Sequence, residues 1–458
     1  MAAVTLSREK QDIFENMPIP HAVATMAIPT ILSQIVTMIY NLADTFFIGQ
    51  MQDPYMVAAI SVVGPWFHML TAFGNLLGVG GNSLISRMLG AGRHEECKWI
   101  SAFSIYGSAA VGAGFSALTL VFMTPILEFL GASPDTMAYA RSYTLWVIVL
   151  GTVPTLLSLV LAHLLRSEGH AKKSSFGMMF GGILNMVLDP IFIFALDLGV
   201  TGAALATMLS NAASCAYFLL TFHRLRHESV MSFQPKYFRL RYMGEVFSAG
   251  LASFLNATLA SAANMVIVRL SANYSDIAVA AYGIVKKLDQ FPLKASLGLC
   301  QGIMPIIGYN FGAKNYRRMN DTLSFAWKLS LLFCGSFVIL FEIFADPILF
   351  WFIPEAETSA LGAQLLRIAC LAVPLHAINI LFSYAIQAMG LGKKSSRLTF
   401  IRHGLLNIPL MFLLDRLFGL FGMICARPLA ELLILPFFAL TYRTALRKIP
   451  GTHTPSPG

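Results

Sequence analysis

Apolar residues run along this chain in long blocks, and polar residues collect in short stretches between them. A helix rising 1.5 Å per residue needs about 20 apolar residues to cross a hydrocarbon core roughly 30 Å thick. Cutting at the polar and Gly/Pro-rich breaks gives about twelve such spans: 20–47, 57–84, 99–123, 139–163, 174–196, 200–222, 245–270, 278–306, 324–345, 362–387, 398–418 and 420–442. The pattern predicts an all-α polytopic membrane protein. The segment before the first span, with Arg8, Lys10, Asp12 and Glu15, reads as a short lead-in helix at the membrane surface. No short apolar core with a cleavage site precedes that span, so no removable signal peptide is expected.

Composition agrees with this reading. The chain has 458 residues, 56% hydrophobic and 12% charged, whereas soluble domains carry about 25% charged residues. A net charge of +9 raises the question of a nucleic-acid partner. Position answers it, because the bases fall in alternate loops without interleaved aromatics, so no nucleic acid is expected. Arg87, Arg93 and Lys98 follow span two, and Arg166, Lys172 and Lys173 follow span four. Arg224, Arg226, Lys236, Arg239 and Arg241 follow span six. Lys314, Arg317 and Arg318 follow span eight; Lys393, Lys394, Arg397 and Arg402 follow span ten. The opposite loops hold Asp53, Asp135, Asp197, Asp276, Glu355 and Glu357, with Arg416 as a lone base. Both termini are therefore expected in the cytoplasm. The six cysteines are scattered without metal spacing and read as small buried hydrophobes, and no metal site is expected.

The halves repeat each other. VAAISV at Val57 returns as VAAYGI at Val279, and GHAKKSS at Gly169 as GLGKKSS at Gly390. LGAG at Leu89 returns as FGAK at Phe311, LN at Leu184 as LN at Leu406, and GVTG at Gly199 as GLFG at Gly419. With six spans per copy both halves face the same way, about a pseudo-two-fold axis along the membrane normal. Such parallel repeats characterise alternating-access transporters with substrate between the halves. The expected organisation is a six-helix lobe over 1–222, a cytoplasmic linker over 223–244, a second six-helix lobe over 245–448, and a disordered Pro/Gly/Thr-rich tail over 449–458.

Two carboxylates interrupt the grease. Asp189 in LNMVLDPIF lies about 22 Å into span five, and Asp44 in LADTFF lies at a comparable depth in span one. An intramembrane aspartate costs roughly 2.5–3.5 kcal/mol on insertion scales and marks an ion path by default. Asn185 is one helical turn before Asp189 and shares its face. Pro190 can bend span five there, and Thr207 of span six can add a hydroxyl. The repeat counterparts of the two acids are Met411 and about Ile267, so the acids occur in one half only. A shared structural device belongs in both copies. Such a pair can load a proton or a sodium ion and release it elsewhere, or offer negative charge to a cationic substrate; competition between the two gives exchange.

LADTFF, LNMVLDPIF, LLRSEGHAKKS after span four and GYNFGAKN after span eight resemble the MATE (multidrug and toxic compound extrusion) family over nearly the whole chain. The resemblance is nearest to the prokaryotic branch grouped with DNA-damage-inducible transporters. It implies twelve spans in two six-helix lobes and export of organic cations and other amphiphiles against inward H⁺ or Na⁺. It also implies that Asp44, Asn185 and Asp189 line the cation site of the first lobe together with Thr207, and that Tyr143 lies near it. Another branch carries acids in spans seven and ten, where this chain offers Arg269 and His376, and the resemblance gives no such second-lobe coupling here.

Other charges and aromatics remain to be placed. VKKLDQFPLK in span eight carries Lys286, Lys287, Asp289 and Lys294. Lys286 can pair with Asp289, and Lys287 with Gln290, while the remaining lysines can attract anionic groups. Arg427 and Glu431 are spaced for an i,i+4 clamp in span twelve. His163 reads as packed or hydrogen-bonded. Met186 with its neighbouring methionines can supply an adaptable wall, and Tyr40, Trp66, Phe67 and Phe291 are candidate stacking partners for planar cations. The expected partners are small amphiphilic or cationic substrates and membrane lipids, with a monomer as the working unit and no cofactor beyond H⁺ or Na⁺. A flippase for lipid-linked saccharides or anionic lipids is the competing reading, kept alive by the span-eight lysines. HExxH, GxSxG and DDxxD are absent, which argues against a membrane enzyme.

Overall fold

The computed structural model describes residues 8–51 and 53–447 and is helical, without strands, over them. After α1 (Arg8–Glu15), the first half comprises α2 (Ile19–Gly49), α3 (Pro54–Gly90), α4 (His94–Val121), the short α5 (Met123–Phe129), α6 (Pro134–Thr144), α7 (Thr152–Ser167), α8 (Ala171–Pro190) and α9 (Gly199–Leu225). The second comprises α10 (Met243–Ala272), α11 (Asp276–Gly312), α12 (Tyr316–Phe352), α13 (Ala356–Cys370), α14 (Ala372–Ala388), α15 (Gly392–Phe400) and α16 (Ile408–Arg447). The tail expected to be disordered lies outside the described residues.

Several helices join into single crossings. A π-helical stretch, Leu145–Leu150, links α6 to α7, which meet at 47°. Ile191–Ala195 extends α8 as a π-helical turn directly after Pro190, whose missing N–H breaks the regular ladder there. Among the described residues, nine helical segments are long and apolar enough to cross, ten with the bent pair. Helix α11 has the length but is charged in its middle. The segment Gly392–Arg447, at 56 residues, would span about 84 Å if straight. Gly419, at φ 65° and ψ −150°, breaks it into two crossings; only glycine adopts that conformation without large strain. Twelve crossings result, as the hydrophobic pattern predicts.

The start signals are local. Asp53 caps α3 by accepting from the amides of Tyr55 and Met56, with Pro54 at the first helical position. Ser133 and Thr136 form a capping box on α6, and Ser275 caps α11.

The turns carrying the basic residues gather at one end of the bundle and those carrying the acids at the other. Packing differs sharply between the ends. Towards the acidic end, one apolar cluster (Ala59, Val63, Leu70, Ile148, Val200) draws only on the first half, and another (Ile267, Ala281, Leu349, Met423) only on the second. Towards the basic end the clusters mix halves: Leu84 and Phe218 join Val246, Ile306 and Tyr309, and Val79 joins Leu299 and Ile303. There the backbones nearly touch. A Cβ on Gly250 would lie 1.8 Å from the Leu76 carbonyl oxygen, and one on Gly90 1.9 Å from that of Tyr309. Small residues permit such approach, and packing of this kind is what holds helices together in lipid. The halves are thus joined at the basic end and parted at the acidic end.

Helix α1 does not lie free at a membrane surface. Phe14 is fully buried and stacks on Tyr309 of α11 with ring centroids 4.8 Å apart. Asn310 Nδ2 and Arg318 Nε donate to the Phe14 carbonyl at 3.1 and 2.7 Å, and Arg318 Nη2 also donates to Ile13 and Met17. The surface lead-in helix predicted from sequence is a clasp on the second half.

Candidate functional site

The face of α8 that carries Gly182, Asn185 and Asp189 turns towards α2, because these positions recur at one and two helical turns. Gly182 makes room for the Tyr40 ring: a Cβ there would lie 2.8 Å from Tyr40 Cδ1. One turn further along α2 stands Asp44. Its carboxyl group meets that of Asp189 within hydrogen-bonding reach. Asn185 Nδ2 donates to Asp189 Oδ1 at 3.2 Å. Tyr40 lies within electrostatic reach of both acids. So does Tyr143 of α6, which also hydrogen-bonds Thr207 of α9. Five of the residues singled out from sequence, together with Tyr143, therefore converge from four helices.

The acids face each other with acceptors only. Asp44 Oδ1 and Asp189 Oδ2 are buried and receive no N–H or O–H donor from the protein. Two carboxylates so placed repel unless a proton or a cation lies between them. Asp189 and Asn185 are buried at 0% and 3% exposure, so water does little to relieve that repulsion. The donor set, two carboxylates with an amide and three hydroxyl-bearing neighbours, suits a hard monovalent cation or a shared proton. Among the described residues no group of three or more His, Cys, Asp or Glu side chains is arranged to hold a metal ion.

Other expected members are elsewhere. Met186 is half-buried on the same helix, one residue off the Asn185–Asp189 face. Phe291 packs on Phe337 inside the second half, at 5.3 Å between centroids, so it is no part of the first-half cluster. Trp66 stacks on Phe115 at 4.9 Å and donates its Nε1–H to Thr119 Oγ1, which locks it into the first-half core.

The second half contains a charged network wired differently from the spacing argument. Asp289 pairs with Arg427 of α16, not with Lys286. Glu431 is not clamped to Arg427. It accepts from His376 at 2.7 Å and from Asn379 at 2.7 Å, and Arg402 lies 3.8 Å away. Neighbouring helices offer these partners at better geometry than a residue one turn along the same helix. Arg402, read from sequence as a loop base, is 1% exposed and also bonds Asn256 and His403. Arg166, likewise expected in a loop, is buried; it donates to Gln301 Oε1 at 2.9 Å and contacts His163. His163 is thus the packed histidine expected. Lys286 and Lys294 are half-buried and Lys287 is exposed, and none of the three joins this network.

The model of the MatE family matches twice, over residues 29–191 and 252–413, once in each half. The chain belongs to the MatE family. It is a multi-pass membrane transporter of that family and not an enzyme. It is similar to the multidrug export protein MepA of Staphylococcus aureus (strain MSSA476), 33% identical over 421 residues, covering 91% of this chain and 92% of the relative. The MepA protein of Staphylococcus haemolyticus (strain JCSC1435) is 34% identical over the same length. Among solved structures, a MATE protein in its straight conformation matches with a TM-score of 0.90 at 23% identity, covering 97% of this chain and 100% of that one. The same comparison with its bent conformation gives 0.87. The bent form of the Vibrio cholerae MATE transporter VcmN gives 0.85 at 23% identity, over 96% of this chain and 98% of that one.

Within this MatE transporter, sequence reasoning missed Asn256, Asn379 and His403 of the second-half network. The one signal available was Glu431 itself, a second intramembrane acid that has to find donors.

Proposed function

We propose that this MatE transporter is a secondary active multidrug exporter that exchanges organic cations and other amphiphiles for H⁺ or Na⁺ by alternating access. The observation that carries the reading is the contact between Asp44 and Asp189, two facing acceptors that need a positive charge between them. An ion entering from the acidic end neutralises the pair. A cationic substrate competes for the same charge, so the two are bound in turn, and exchange follows without further machinery. Asn185 holds Asp189 in place, and Thr207, Tyr143 and Tyr40 line the neighbourhood. In this reading the lobes over 1–222 and 245–448 rock about the linker 223–244. The acidic end faces outward, both termini lie in the cytoplasm, and the monomer works in the cell membrane among lipids. The 33% identity to a multidrug export protein along nine-tenths of the chain supports the substrate class.

The test is purified protein in liposomes with an imposed H⁺ or Na⁺ gradient and an ethidium-type dye. Dye movement that follows one gradient and collapses with its ionophore supports exchange and names the ion. Dye movement indifferent to both gradients contradicts it.

A further inference from the structure

Basic side chains line the second-half side of the space that opens between the halves, while the two acids sit inside the first half between α2 and α8. On α3, Val79 packs against Leu299, Cys300 and Ile303 of α11. His68 lies about three turns nearer the acidic end on that same α3 face, where the halves have parted and it is exposed. On α11, Gly298 marks the face turned towards α2, since a Cβ there would lie 2.6 Å from Ile31 Cα. Lys294 stands one turn above Gly298 on that face, and Lys286 about two turns further. His68 is within electrostatic reach of both lysines. The carboxylate nearest in sequence, Asp289, is taken by Arg427. Neither lysine ammonium has a hydrogen-bond or ion-pair partner among the described residues.

A half-buried ammonium without a partner is costly, and in a membrane segment it is retained where a ligand or a path uses it. The second-half side of the cleft therefore presents ammonium groups with no protein partner. That arrangement complements an amphiphile carrying an acidic group. We propose that Lys286 and Lys294, with His68 beside them, bind the carboxylate or other acidic group of amphiphilic substrates, zwitterionic ones included. The inference rests on the exporter reading above and adds the residues that select among its substrates. For a substrate with no acidic group the same ammonium groups are repulsive, so they trade affinity for one class against the other.

The test uses two rhodamines of one skeleton, one with a free carboxylate and one as its methyl ester, a permanent monocation. Gradient-driven uptake of each is measured in liposomes for the full chain and for Lys286→Gln/Lys294→Gln. In the double variant KM for the carboxylate dye should rise about fivefold or more while KM for the ester falls. Lys286→Arg/Lys294→Arg should restore the carboxylate dye, since the charge is kept. Equal changes for both dyes, or none for either, would overturn the inference while leaving the exporter reading intact. Failure of the unaltered protein to move either dye would overturn both. If the double variant does not reach the membrane, each single Lys→Gln variant is read in the same way.

Discussion

The carboxyl groups of Asp44 and Asp189 lie within hydrogen-bonding reach of each other, from different helices, in a region the sequence marks as hydrocarbon-spanning. Neither Asp44 Oδ1 nor Asp189 Oδ2 has a protein donor, so a proton or cation between them would relieve their repulsion.

At the basic end, Glu168 follows α7 and is fully buried. Ser229 Oγ donates to both its carboxylate oxygens at 2.9 Å, and the Val230 amide donates to Oε1 at 2.8 Å, which docks the chain between the halves onto the first. Burial outweighs these bonds and the nearby Lys10, and pushes the Glu168 carboxyl up to about 7. The folded form therefore holds a proton that the undocked form has already lost above the ordinary glutamate range. Docking should be tightest at or below about pH 4.5, weaken as pH rises to about 7, and level off above that. Hydrogen exchange of the 229–234 amides across this range checks it. In Glu168→Gln, which keeps an acceptor and removes the charge, that pH dependence should vanish; an unchanged slope would contradict the assignment.

The clasp of α1 gives a second prediction. Phe14→Ala removes a fully buried ring and should cost about 3–5 kcal/mol locally. Arg318→Ala should weaken the same contact by removing donors to the Phe14, Ile13 and Met17 carbonyls. Both variants should become sensitive to proteolysis between Arg8 and Met17 while the remaining helices stay resistant. Protection equal to the unaltered protein would show that the clasp does not hold α1.

Closure at the basic end depends on bare backbone contact. Gly250→Ala puts a Cβ 1.8 Å from the Leu76 carbonyl oxygen, which no side-chain rearrangement relieves. The variant should favour separation at that end. A cysteine introduced at Gln34 or Gln301, whose side chains bond across the interface at 3.2 Å, should then react severalfold faster with a water-soluble thiol reagent. The same labelling rate as in the Gly250 background would refute the contact's role.

In the second half, Arg427→Ala strands Asp289 without its cation. A broken buried pair costs about 3–5 kcal/mol, and neutralising the survivor should recover much of it. Thermal unfolding in detergent should show a large loss for Arg427→Ala and a smaller one for Arg427→Ala/Asp289→Asn. Additive losses would mean that the pair is not coupled.

The fold was readable in the sequence because lipid imposes a simple rule: a crossing helix must be long and apolar. The break at Gly419 was read as well, because the spans 398–418 and 420–442 were parted there, although the left-handed conformation that makes it leaves no mark in hydropathy. The first-half site was readable because Asp44 and Asp189 are misfits in grease and the repeat assigns them to one half. The second-half wiring was not. One-turn spacing suggests Lys286–Asp289 and Arg427–Glu431, but bent helices brought His376, Asn379 and Arg402 to the buried acids, and that proximity has no signature along the chain. Arg166 and Arg402 were misplaced for a related reason. A base near a helix end reads as a loop charge until a facing helix is seen to cover it.

The most direct measurement is gradient-driven export of a fluorescent organic cation by Asp189→Asn protein in liposomes, with insertion and thermal stability matched to the unaltered chain. The carboxamide keeps the shape of Asp189 and its neighbour Asn185 but removes the facing charge. Export should then fall to the level of protein-free liposomes. Full export by that variant, with the same dependence on the ion gradient, would contradict it.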